Sequence, residues 1–280
     1  MIDRVNFLYL GGDKCGSTWL HYILDKHPDV QLASSKELFY FDRFYKKGPE
    51  WYARQFPDNP AALRTGEICH DYLYSVPALE RISLDMPADS RFLIFVRDPL
   101  ERAISHYRYL RKIGKTSMSF DDAVSAYPQI VEHSLFGKYV ASAVNLLGKE
   151  RVHVLSFDDL KTDPEKFGEQ VSKALDIPFL PGLPYSDRIL EAAGSRAPIL
   201  TRVLREVSWG LRGLGLATFV SRVKQSPLIN KILFSTQKLD DREKSTPGAA
   251  VKRNLSEIFD RDLEQLGHLV GPNTLQSIKE

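Results

Sequence analysis

Cysteine is scarce in this chain of 280 residues: Cys15 and Cys69 are the only two. That is too few for a disulfide framework, and neither belongs to a C-x-x-C pair. There is no run of about eighteen apolar residues to span a membrane, no internal repeat and no low-complexity segment. An excess of one charge is missing too. The 38 Lys and Arg against 36 Asp and Glu leave a formal net charge of +2, so no global field points to a nucleic-acid partner. The opening MIDRVNFLYL lacks the basic start, long apolar stretch and small-residue cleavage site of a secretory leader. Together these absences predict a cytoplasmic chain with no transmembrane segment, whose anion sites must be built from local groups.

What is present is an alternation of short apolar runs and longer helical patterns, the pattern of parallel β-α-β units. Strands are expected at Val5–Leu10, Thr65–Ile68, Arg91–Val96 and Arg151–Ser156. Helices are expected at Ser17–Lys26, near Pro77–Leu84, at Pro99–Ile113, Leu135–Leu147 and Pro164–Leu175. Asp98 before Pro99 specifies a helix start. The fold expected is α/β: a P-loop-like, doubly wound, mainly parallel sheet flanked by helices, with a C-terminal helical region. A single domain over 1–280 is expected, with an α/β core over 1–180 and a helical lid and final helix over 181–280. Ile199–Phe234 reads as helical, and from Arg196 to Lys238 there are eight Lys and Arg against one acid, Glu206. That stretch fits a solvated face, a lid over a polyanion or a membrane contact. A last helix, Val251–Val270, carries Leu255, Phe259, Leu263, Leu266 and Leu269 at core spacing.

The chemistry begins at YLGGDKCGSTWL, Tyr9 to Leu20. Gly11, Gly16 and Thr18 fall where G-x-x-x-x-G-K-[ST] places its glycines and last residue, but Ser17 replaces the lysine and Lys14 sits inside the loop. A glycine-rich turn from strand to helix presents backbone N–H groups and a dipole end to an anion. A nucleoside triphosphatase would also need an acid at a strand end to hold Mg²⁺. RFLIFV is followed instead by Arg97, a cation suited to a second phosphate rather than to a metal. No metal site is expected.

Lys14-Cys15-Gly16-Ser17-Thr18-Trp19-Leu20 resembles the 5′-phosphosulfate loop of sulfotransferases that use 3′-phosphoadenosine 5′-phosphosulfate (PAPS), which leaves as PAP. VRDPLERAISHYRY resembles the second signature of that family, an Arg at a strand end with a Ser eight residues on. Ser156–Phe167, SFDDLKTDPEKF, is similar to a third strand-end segment, with Phe157 where Tyr is frequent. The resemblance runs from about Val5 to Leu180 and implies that Lys14, Cys15, Gly16, Ser17 and Thr18 hold the 5′ side. Arg97 and Ser105 would grip the 3′-phosphate. Trp19 is left with two readings, a platform for adenine or a core residue. Lys14 would stabilise the oxygen from which the sulfuryl group leaves, and Ser17 would hold or release that ammonium.

SSKELFYFD resembles the glycan-modifying branch, in which a glutamate is the general base, and this makes Glu37 the candidate. His70, in TGEICHDYLY, is the competing base or an orienting group for the acceptor. Ile68 departs from that branch, which has lysine there. The resemblance implies transfer to a hydroxyl of a small acceptor: a secondary metabolite, a sugar or a glycolipid. Phe39, Tyr40, Phe44, Trp51, Tyr72 and Tyr74 are candidates to line its pocket or to fill the core. The alternatives are a P-loop kinase of small molecules and a non-catalytic nucleotide-binding protein.

Overall fold

Five short strands pair into one sheet: β1 (Phe7–Gly11), β2 (Val30–Leu32), β3 (Arg64–Ile68), β4 (Arg91–Val96) and β5 (Val152–Ser156). Their order is β2-β3-β1-β4-β5 and every pairing is parallel. In this computed structural model the described residues are 2, 4–187 and 246–279. Four strands match the runs read from sequence. The fifth, β2, has three residues, too few to show a period, and forms because Val30, Gln31 and Leu32 pair with Arg64, Thr65 and Gly66. β1, β3 and β4 are buried almost throughout, as expected for parallel strands covered on both faces.

The helices are α1 (Ser17–Leu24), α2 (Pro49–Ala53), α3 (Val76–Asp85), α4 (Pro99–Lys112), α5 (Phe120–Ala126), α6 (Gln129–Glu132) and α7 (Phe136–Leu147). They continue with α8 (Phe157–Thr162), α9 (Pro164–Leu175), α10 (Ala249–Gly267) and α11 (Pro272–Lys279). The starts follow from local chemistry. Ser75 accepts from the Ala78 N–H to cap α3, and Asp163 from the Lys166 N–H to cap α9, each with proline in the first turn. The final helix expected at Val251–Val270 is α10. The helix expected over Ile199–Phe234 and the basic stretch from Arg196 to Lys238 lie outside the described residues.

Two compact units divide the chain. The first, Met1–Asp98 with Phe136–Ile189 and Asp262–Glu280, holds the whole sheet. Within it Tyr9 meets Phe95, Phe95 meets Phe167 of α9, and Phe167 meets Trp19 of α1, with ring centroids 5.1, 5.0 and 5.3 Å apart. Asp262 accepts from the N–H groups of Gly137 and Lys138 at 2.7 and 2.9 Å, capping α7 from a distant part of the chain.

The second unit is Pro99–Leu135 with Leu190–Arg261. Its core gathers Ala103, Tyr107, Leu110, Phe120, Ala123, Ile130, Leu255 and Phe259. Arg102 is fully buried in it. Its guanidinium donates to the carbonyls of Gln129 and Ile130 (3.0 Å each), to Ser134 Oγ (3.3 Å) and to His106 Nδ1 (2.7 Å). Among the described residues no helix is long and apolar enough to cross a membrane.

Candidate active site

The order β3-β1-β4 puts three loop-bearing strands side by side, and the neighbours β1 and β4 send their connections in opposite directions across the sheet, to β2 and to β5. Open parallel sheets bind ligands beyond the carboxyl ends of their strands at such a switch point. The loop after β1 is held on both sides. Gly12 N–H donates to Phe95 O (2.9 Å), and Tyr9 Oη donates to Gly12 O (2.7 Å). The Tyr74 hydroxyl accepts from Asp13 N–H (3.1 Å) and donates to Asp13 Oδ1 (2.9 Å). Lys14 takes a left-handed φ of 64° and Gly16 one of 92°. A Cβ at Gly16 would stand 2.8 Å from the Phe157 ring, so the turn into α1 requires glycine twice over, for its φ and for space. No side chain caps α1 at Gly16, and its first-turn N–H groups face the loop.

Arg97 follows β4 and is tied to this loop directly. Its guanidinium donates to the Lys14 carbonyl at 3.1 Å and lies over the Phe157 ring, 4.8 Å from its centroid. Phe157, the first residue of α8, therefore touches both the glycine of the loop and the cation of β4. Asp98 N–H donates to Asp158 Oδ2 (3.2 Å), and Lys161 reaches Asp158 Oδ1 at 2.5 Å.

A second cluster stands at the end of β3. Glu37 has a left-handed φ of 59°, and its N–H donates to Ile68 O at 3.0 Å, which fixes it beside the strand end. Glu37 Oε1 lies 3.4 Å from His70 Nδ1, and His70 Nε2 lies 3.2 Å from Asp71 Oδ1. Arg43 clamps the other oxygen of Asp71 at 2.6 Å, contacts Asp42 at 3.1 Å and covers the Phe39 ring. Burial pushes the Asp71 carboxyl up, while His70 and Arg43 pull it back. The side chains of Glu37, His70 and Asp71 are 29, 26 and 26% exposed, so the cluster is open to a ligand.

Residues 6–191 match the sulfotransferase domain family, two thirds of the chain. The chain belongs to the sulfotransferase family. It is 33% identical over 141 residues to the membrane-associated sulfotransferase kil1 of Dictyostelium discoideum, covering 47% of this chain and 30% of that protein. It is 29% identical over 185 residues to mouse heparan sulfate glucosamine 3-O-sulfotransferase 5, covering 61% and 53%. The chain thus spans about half, or less, of the length of these curated relatives. In fold it is similar to a sulfotransferase from Alicyclobacillus acidocaldarius, with a TM-score of 0.59, 20% identity and coverage of 78 and 96%. It also resembles mouse sulfotransferase SULT7A1 complexed with PAP, with a TM-score of 0.50, 14% identity and coverage of 100 and 89%. The parallel sheet with flanking helices is the sulfotransferase fold expected from the sequence.

The remaining residues singled out in this sulfotransferase sequence fall as follows. Cys15 is buried and its thiol donates to Asp13 O at 3.4 Å. Ser17 is half-buried, Thr18 is exposed, and the Ser17 carbonyl accepts from Lys36 Nζ at 3.2 Å. Trp19 is 7% exposed, and its indole N–H donates to Tyr185 O at 2.8 Å against Phe167 and Tyr185. Of its two readings, the core one matches these surroundings, because both its faces and its polar handle are occupied by protein. Ser105 lies on α4 in the second unit and is half-buried. Tyr40, Tyr72 and Trp51 belong to a buried aromatic cluster in which Tyr40 stacks on Tyr52 at 4.4 Å. Beneath it lies Glu67, 1% exposed; burial first, and then the charge of Glu67, push the Tyr52 and Tyr72 phenols well above their usual range. The Arg43–Asp71 pair and the Lys36 contact with Ser17 O escape a motif reading, because only the fold brings those partners near.

Proposed function

We propose that this sulfotransferase moves a sulfuryl group from PAPS to a hydroxyl of a small acceptor, of which a sugar hydroxyl is the first candidate. One observation carries the reading. The Lys14 loop, the Arg97 guanidinium and the Glu37–His70 pair stand at the ends of three adjacent parallel strands, and Arg97 is bonded to the loop itself. A glycine-lined turn with a helix start behind it fits the 5′ side of PAPS, and a fork of donors beside it fits a second phosphate. PAPS, when bound, supplies the sulfuryl group and a phosphate leaving group.

The protein's residues supply the rest. Backbone N–H groups from Cys15 to Thr18 bind the 5′-phosphate, and the Lys14 ammonium stabilises charge on the departing oxygen. Ser17 steadies that ammonium. Arg97 binds the 3′-phosphate, and Ser105, eight residues on in the sequence, keeps the role that its resemblance implies. Glu37 removes the acceptor proton as general base. None of these roles calls for a metal. The names of the glucosamine 3-O-sulfotransferase relatives favour a sugar hydroxyl over a phenol. Cys15 and Cys69, both buried and not disulfide-bonded to each other, favour action in a reducing compartment such as the cytoplasm.

The test is calorimetry with PAP in EDTA, joined to transfer of ³⁵S from labelled PAPS to desulfated heparan oligosaccharides and to 4-nitrophenol. Tight PAP binding with transfer to the sugar is expected. Binding of ATP with Mg²⁺ in place of PAP would replace this reading with the kinase one. PAP binding with no release of label, even to water, would favour a non-catalytic nucleotide-binding protein.

A further inference from the structure

We infer that His70 and Asp71 form a proton relay behind Glu37, in which Asp71, clamped by Arg43, sets the tautomer of His70. This rests on the reading of Glu37 as the base that faces the acceptor. The geometry is a chain of four side chains. Glu37 Oε1 to His70 Nδ1 is 3.4 Å, His70 Nε2 to Asp71 Oδ1 is 3.2 Å, and Asp71 Oδ2 to Arg43 is 2.6 Å. Each ring nitrogen of His70 thus faces a different carboxylate.

A neutral imidazole has one donor nitrogen and one acceptor nitrogen. Asp71 is bonded to the Arg43 guanidinium through its second oxygen and can only accept, so Nε2 of His70 must donate to it. Nδ1 is then the lone-pair nitrogen, and it points at Glu37. An anionic Glu37 makes no hydrogen bond to that lone pair, whereas a protonated Glu37 does. The arrangement is therefore short of one proton, which the reaction provides. The acceptor oxygen uses a lone pair to bond sulfur while the bond from sulfur to the phosphate oxygen breaks and its electrons leave on the phosphate. The acceptor proton passes to Glu37 and then to His70 Nδ1. The product is an imidazolium donating to carboxylates on both sides, with Glu37 restored as carboxylate. His70 is a proton carrier here, and Asp71 and Arg43 are positioning residues. The logic is that of a histidine oriented by an acid on its far nitrogen.

Burial works against the Asp71 carboxylate, and Glu37 and Asp13 add to that; His70 and Arg43 favour its ionised form, and Asp42 shares Arg43. Backbone strain marks the same spot, since Glu37 holds a left-handed conformation at the mouth of the relay. Ile68, the position where the glycan-modifying branch has lysine, is buried, and the cation bonded at this strand end to Asp71 is Arg43.

The test reads the tautomer in the full chain bound to PAP. Long-range ¹H–¹⁵N spectra of the imidazoles, with His70 assigned from His70→Gln, should show neutral His70 protonated on Nε2. Asp71→Asn should shift it toward the Nδ1–H form. With water as acceptor, Asp71→Asn should slow release of ³⁵S-sulfate from labelled PAPS about 10- to 100-fold at unchanged PAP affinity. The pH profile of that rate should change with it. Neutral His70 protonated on Nδ1 in the wild type would overturn the relay. So would a variant with wild-type rate and pH profile. Glu37→Gln separates the two readings: if it is inactive while either contrary result is found, only the relay fails, and if it is active, the base assignment itself fails.

Discussion

Lys14 and Arg97 are 83 residues apart in sequence and joined by one hydrogen bond, yet the account gives them different tasks. Lys14→Ala should lower sulfuryl transfer by orders of magnitude while PAP affinity stays within a small factor, since its ammonium acts on charge that develops as the bond breaks. Rates and calorimetry on the same preparation check this. Arg97→Ala should instead weaken PAP by roughly 2–3 kcal/mol, the range for hydrogen bonds to a charged group. His21 on α1 offers a residue-scale test of stability. Burial first, and then Lys36, lower it from 6.5 to about 4. The unfolded chain binds this proton near pH 6.5 and the folded chain only near 4, so stability should fall as pH drops through that window. The loss is at most about 3 kcal/mol, less where solvent reaches the ring. Thermal midpoints of wild type and His21→Gln between pH 4 and 7 should show the slope in the first and its loss in the second.

Among the elements, α4 and the turn after α6 depend on one buried cation. Arg102→Met keeps the volume but leaves the carbonyls of Gln129 and Ile130 without their donor, at about 1–3 kcal/mol for each stranded acceptor. Urea unfolding should lose at least about 2 kcal/mol. At this scale the sequence was readable where elements are long or capped. Pro99 and Pro164 open helices where expected, and RFLIFV is a central strand. It was silent where structure comes from pairing with a distant partner. β2 exists through β3, the cap of α7 is Asp262, and α11 follows α10, which was expected to be the last helix. The candidate site divides in the same way. Lys14, Glu37, His70 and Arg97 were legible as motifs. Phe157 under Arg97 and Arg43 behind Asp71 were not, because each matters through a neighbour that only the folded chain supplies.

For the molecule as a whole, strand order turns a defective-looking phosphate loop into a coherent site. With β1 between β3 and β4, the Glu37–His70 pair flanks the loop on one side and the Arg97 guanidinium on the other. A kinase of the same outline would need Mg²⁺, whereas the proposed function assigns that work to Lys14 and Arg97. The 3′-phosphate therefore separates the alternatives. The most direct measurement is calorimetric titration of the full chain, in EDTA, with PAP and with adenosine 5′-monophosphate, repeated for Arg97→Ala. The account predicts tight binding of PAP, loss of most of that affinity when the 3′-phosphate is absent, and a similar loss in the variant. Equal affinity for the two nucleotides, or an Arg97→Ala protein that binds PAP like the wild type, would contradict it.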